Sequence, residues 1–158
     1  MGVQGKNKGN FIVGRMSSDN LNIASVTLTN AQILLVRATP ITLVPAQGAG
    51  TVIEFVSGML FLDASAGAYT ESADNLIFRY VDGSGLVVCE DIECTGFIDQ
   101  ADEMGTTISA KINAIVTDAQ CVNQPLVIHN SGNGEFGGGN ANNDLLVKVA
   151  YRVHASGF

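Results

Sequence analysis

The sequence predicts an all-β protein, an antiparallel β-sandwich carrying an extended N-terminal arm. Three observations predict it. Short apolar or alternating segments recur along the 158 residues, separated by turns rich in Gly, Asn and Ser, which is the pattern of many short strands. No segment sustains a clear helical period. The 18 glycines supply turns throughout, while only 3 prolines interrupt the strands. About eight or nine strands in a chain of this length make a jelly roll the expected version of the sandwich. The division expected is an arm over residues 1–20 and one sandwich domain over 21–158.

Taken in order, the strand signals begin at Ala24–Thr29, where Ala24, Val26 and Leu28 share one face and Ser25, Thr27 and Thr29 the other. Asn30-Ala-Gln then turns the chain into Ile33–Arg37, a short continuous apolar run. Pro40 cannot donate to a ladder, so it marks the start or edge of the next strand, Ile41–Val44. After the turn Pro-Ala-Gln-Gly-Ala-Gly comes the longest strand, Thr51–Leu62. Both of its faces are largely apolar, so both should be covered. The alternation assigns Ile53, Phe55, Met59 and Phe61 to the core and offers Val52, Val56, Leu60 and Leu62 to a neighbouring subunit.

Leu76, Phe78 and Tyr80 mark one face of a strand over Asn75–Val81. Asp82-Gly-Ser-Gly85 turns it into Leu86–Cys89 as a hairpin. Residues 90–103 hold six acids and no cation and read as an exposed connection with a short strand around Gly96–Ile98. The β-branched content of Thr106–Val116 favours a strand there. Gln124–Asn130 is another, followed by a Gly/Asn-rich loop to Asp144 in which Phe136 is a lone apolar anchor. Leu145–His154 closes the chain with one wet face.

Charge narrows the function. Only 15% of residues are charged, against about 25% in typical soluble domains, and together with a two-faced strand this points to surface covered by association. The net charge of −7 is uneven: Lys6, Lys8 and Arg15 precede every acid, leaving 5 cations against 15 acids, a formal −10, in the remainder. So acidic a body is unsuited to nucleic acid, whose binding rests on neutralising phosphates, and to an anionic membrane surface. The opening MGVQGKNKGN lacks the apolar core of a secretory signal, and no apolar run is long enough to span a bilayer.

Three cysteines, Cys89, Cys94 and Cys121, make no complete disulfide framework and read as small buried hydrophobes of a protein made in a reducing cytoplasm. Their spacing with His129 matches no tight zinc knuckle. Asp63, Glu71, Asp74 and Asp82 are oxygen donors in loops but follow no calcium-loop spacing. His129 and His154 lack the partners of a catalytic base, and no nucleophile elbow or phosphate-binding loop occurs. The expectation is a protein that is not an enzyme and takes no cofactor or metal.

Three stretches carry a resemblance: Pro40–Phe55 (PITLVPAQGAGTVIEF), Leu62–Gly85 (LDASAGAYTESADNLIFRYVDGSG) and Asn123–Val153 (NQPLVIHNSGNGEFGGGNANNDLLVKVAYRV). Together they resemble small virion structural proteins of tailed bacteriophages that decorate or cement the outside of an icosahedral head. The resemblance implies self-association, often as trimers, binding to the major capsid protein lattice, and location on the outer capsid surface of the virion. It also implies an N-terminal arm that reaches the capsid or a neighbouring subunit, a role that Lys6, Lys8, Phe11, Ile12 and Arg15 suit although they lie outside the matching stretches. The candidate subunit contacts are Val52, Val56, Leu60, Leu62 and Phe136. A tail- or fibre-associated sandwich is the alternative within the virion. A carbohydrate-binding module is a further one, which would need an exposed aromatic platform in a chain without Trp and with three tyrosines.

Overall fold

The computed structural model describes residues 20–64, 67–71, 74–111 and 117–157. In chain order the elements are β1 (Asn22–Thr29), α1 (Asn30–Ile33), β2 (Ile41–Val44), β3 (Thr51–Asp63), β4 (Tyr69–Thr70), β5 (Asn75–Tyr80), β6 (Ile92–Glu93), β7 (Met104–Ser109), α2 (Asp118–Cys121), β8 (Leu126–Asn130), β9 (Gly137–Gly138) and β10 (Asp144–Ala155). Every strand pairing among them is antiparallel.

Two four-stranded sheets form the body. The front sheet has the order β1-β10-β3-β7, the back sheet β2-β8-β5-β6, and β4 with β9 makes a small third sheet. The chain passes repeatedly between front and back, so strands adjacent in space are mostly distant in sequence. The two sheets meet through apolar side chains. Phe55 from the front packs edge-on against Phe78 from the back, with ring centroids 5.3 Å apart and planes at 86°, a favoured aromatic geometry. Gly58 leaves room for that approach, because a Cβ there would stand 3.2 Å from the Phe78 ring and 3.1 Å from the Lys148 carbonyl oxygen. The Tyr80 hydroxyl donates to the Ile53 carbonyl across the same interface.

The predicted strand at Ala24–Thr29 holds, with Leu28 buried and Ser25, Thr27 and Thr29 exposed. Pro40 directly precedes β2. The apolar run Ile33–Arg37 instead continues from a helical turn. Thr29 caps α1: its hydroxyl accepts from the Gln32 amide at 3.4 Å, while Gln32 Oε1 accepts from the Thr29 amide at 2.9 Å. This reciprocal capping satisfies donors that a short helix leaves open. The strand expected around Gly96–Ile98 is a turn, in which the amides of Phe97 and Ile98 both donate to the Cys94 carbonyl at 3.0 and 2.9 Å. The short strand lies earlier, at Ile92–Glu93. The hairpin after β5 forms as bridges, Arg79 opposite Val87, with Val88 donating to Phe78 at 3.0 Å. Its turn is held by Asp82, whose carboxylate accepts from the Ser84 amide and hydroxyl at 2.8 and 2.7 Å.

Candidate interaction surface

The surface is set by one irregularity in β3. Phe55 pairs with Tyr151 and Ser57 with Ala150, which leaves Val56 as an extra residue without an opposite number. Such a bulge shifts the alternation by one residue. Before it, Ile53 and Phe55 point into the sandwich, 1% and 5% exposed. After it, Leu60 and Leu62 do so, at 0% and 2%, while Met59 and Phe61 turn outward at 41% and 37%.

The assignment by unbroken alternation is therefore corrected. Met59 and Phe61 are surface residues, and Leu60 and Leu62 belong to the core. Phe136, expected as a possible partner contact, packs back into the core at 3% exposure. Val52 and Val56 are half-buried. The arm residues Lys6, Lys8, Phe11, Ile12 and Arg15 lie outside the described residues. The signal for the bulge was present in the sequence: Glu54 and Ser57, both polar, stand three apart, and a regular strand cannot turn both to water. Gly58, next to it, is the residue that marks such irregularities.

The register fixes what the outer face of the front sheet presents. Across β1, β10, β3 and β7, one row reads Thr27, Leu146, Phe61, Gly105, the next Ser25, Lys148, Met59, Thr107, and the third Ile23, Ala150, Ser57, Ser109. Lys148 is the only charge in these three rows. Its ammonium lies 5.6 Å from the centroid of the Phe61 ring, a cation–π distance. Ile23, at the β1 edge, is 64% exposed.

Charges border this field at both ends. At one end Asp63 stands opposite Asp144. At the other Glu54 accepts from His154 at 2.8 Å and from Arg152 at 3.3 Å. The His154 hydrogen bond is the main cause that holds the Glu54 carboxyl below its ordinary value; burial opposes it, and the Arg152 hydrogen bond and charge add to the lowering.

The outer side of the back sheet is built differently. There Ile77, Val127 and His129 are buried at 2%, 3% and 7%. Gly83 in the 82–85 turn comes so close to His129 that a Cβ would lie 2.5 Å from Nε2. Arg79 braces that turn by donating to the Gly85 carbonyl at 2.9 Å. Glu135 ties two connections together, accepting from the amides of Arg37 and Ala38 at 3.0 and 2.7 Å. Burial pushes the His129 pKa down, with the positive charges of Arg79 and Arg37 adding to the effect, so the ring is neutral at neutral pH. It fills space beneath a turn.

The remaining candidates take structural places. Burial pushes the Cys89 thiol up to about 11 and Cys94 to about 12, and moves Cys121 the same way. Thiols so raised are poor nucleophiles. Among the described residues no three His, Cys, Asp or Glu side chains gather as a metal centre, and no helix is long and apolar enough to cross a membrane. Tyr69 and Tyr80 are buried, at 2% and 5% exposure, so neither offers a ring to a sugar.

A scan against protein-family models and searches of curated proteins and of solved structures return no match for this chain.

Proposed function

We propose that this chain is a virion structural protein that decorates and stabilises a bacteriophage head by self-associating and binding the major capsid protein lattice. The observation that carries the reading is the outer face of the front sheet, a field with one charge that exposes Ile23, Met59 and Phe61. Exposed apolar side chains grouped on one face mark interaction surfaces, and here Met59 and Phe61 stand on the central strand β3 with Ile23 on the edge strand β1. Two further features support it. The three stretches resembling phage head-decorating proteins fall largely on the sandwich body. The interleaved strand order of the two sheets supports reading the sandwich as a jelly roll, a fold used by capsid proteins.

The mechanism is linkage. A protein that binds the assembled shell and not its dissociated subunits stabilises the shell in proportion to the logarithm of one plus its free concentration over its dissociation constant. Several sites joined in one oligomer raise that affinity without new contacts. The test is addition of the full chain to undecorated expanded heads built from the cognate major capsid protein. Saturable binding and a higher shell melting temperature are expected. Heads that bind nothing at micromolar protein overturn the proposal.

A further inference from the structure

On the back of the sandwich, two guanidiniums act on one buried ring. His129 is 7% exposed, stands opposite Ile77 in the back sheet, and lines a cleft of about 470 Å³ with Arg37, Gly83, Gly134 and Glu135. Four elements bring charge to it. Strand β5 supplies Arg79, the segment after α1 supplies Arg37, the loop after β8 supplies Glu135, and the 82–85 turn supplies Asp82. Each of these groups is already engaged. Arg79 donates to the Gly85 carbonyl at 2.9 Å, and Arg37 donates to the carbonyls of Asn130, at 3.3 Å, and Gly132. Glu135 accepts from the amides of Arg37 and Ala38, and Asp82 from the amide and hydroxyl of Ser84.

A proton taken up by this ring adds a third positive charge beside two guanidiniums that cannot lose theirs, in a site shielded from water. The ring has little room to move aside, since a Cβ on Gly83 would stand 2.5 Å from its Nε2. The turn above it is the part that can give way. Within it the Gly85 amide donates to the Asp82 carbonyl at 3.2 Å, and just before it the Val81 amide donates to the Pro125 carbonyl at 3.0 Å. Few bonds therefore hold the turn down, as in other segments that open locally. We infer that the 82–85 turn is an acid-released latch: protonation of His129 lifts the turn and uncovers the back sheet beneath it, the ring together with its neighbour Ile77.

The direction follows from linkage. Burial first, then the charges of Arg79 and Arg37, hold the folded ring below its ordinary value of 6.5, against the Arg37 backbone and Glu135, which favour the charged form. With the turn lifted, water and separation from the cations return the ring toward that ordinary value. The closed turn is thus favoured in full above about pH 6.5 and loses its advantage as pH falls toward the folded value. The Ser84 hydrogen bonds hold Asp82 below its ordinary 3.8, so the turn's own carboxylate keeps its charge while the ring titrates at higher pH. The latch belongs to the sandwich body and holds whether or not the chain binds a phage head.

The experiment is hydrogen exchange on the full-length chain at about pH 7.5 and about pH 5, each rate corrected for the intrinsic effect of pH. Protection of the Val81 and Gly85 amides is expected to fall about tenfold, the effect of one pH unit of linked proton uptake, while the amides of β3 and β10 keep theirs. His129→Gln, polar but without a titrating ring, should remove the fall. His154→Gln, on the front sheet, should leave it in place. Proton NMR of the unaltered chain follows the His129 ring directly, so the inference stays testable if His129→Gln does not fold. The ring midpoint should lie below that of the same histidine in a peptide of residues 126–132 and coincide with the loss of protection. Four results overturn the inference: protection at 81–85 that ignores pH, a fall that persists in His129→Gln or vanishes in His154→Gln, acid loosening of β3 and β10 as great as that of the turn, or a ring midpoint apart from the opening.

Discussion

Ile77 and Met59 occupy equivalent places in the two sheets. Each sits on a central strand and points away from the partner sheet, yet Ile77 is 2% exposed and Met59 41%. On the back of the sandwich the chain folds its own connections over the sheet, with the 82–85 turn above His129 and Glu135 tying the connections at 37–38 and 131–135 together. On the front, Met59 and Phe61 have no such cover among the described residues. The difference teaches that apolar composition on an outward face does not tell whether the chain itself or another molecule covers it. Connections decide that.

The comparison can be broken most directly by truncating the back. Ile77→Ala removes a side chain already covered within the chain and should cost about 2–5 kcal/mol of stability, read from the urea midpoint. A loss below about 1 kcal/mol would place the two faces on the same footing. Next in size is Gly83→Val, which forces a side chain into the space of the His129 ring and should cost about 1–3 kcal/mol, again by urea unfolding. If it is silent, the turn is not a fixed cover.

The front face should behave in the opposite way. The double substitution Met59→Ser and Phe61→Ser is expected to change the stability of the isolated chain by less than about 1 kcal/mol while abolishing measurable binding to expanded heads. Circular dichroism melts and a head-binding isotherm, run on one preparation, separate the two effects. Large destabilisation with unchanged binding would mean that the face serves the fold.

The smallest expected effect sharpens the border of the face. Glu54 has a folded pKa below its ordinary value of 4.5, chiefly through the His154 hydrogen bond. A carboxylate depressed on folding contributes stability that is present above its unfolded pKa and is lost as pH falls through the folded one. Glu54→Gln should therefore lower stability slightly above pH 4.5, converge with the unaltered chain in more acidic solution, and so flatten the acid limb. Because the side chain is 44% exposed, the change is small and shrinks with added salt. Unfolding midpoints compared between pH 3 and 6 check both points.

Much of the fold was legible in local patterns. The Asp82-Gly-Ser-Gly85 turn, the strand after Pro40 and the apolar alternation at Leu76, Phe78 and Tyr80 all follow from backbone and side-chain chemistry acting over a few residues. Less legible was the candidate surface. A single extra residue at Val56 exchanged the fates of Met59 and Phe61 with those of Leu60 and Leu62, because a strand's period of two turns any insertion into a change of face. The capped turn at Thr29–Gln32 was likewise written in the sequence, as a Thr followed three residues later by Gln, but was obscured by the apolar run after it.

By itself, then, the sequence determined an all-β sandwich, the sites of its tight turns, and the contrast between residues 1–18, with cations and no acid, and an acidic remainder. These depend on residue type and short-range spacing. Only the tertiary structure decided which apolar residues remain on the surface and which charged residues stand together. Those outcomes depend on which distant segments meet. Asp63 and Asp144 stand opposite each other because β3 pairs with β10, and Glu90 reaches Ser109 because the two sheets close together along one edge. No local pattern encodes such pairings, since they arise when the whole chain buries its core at once.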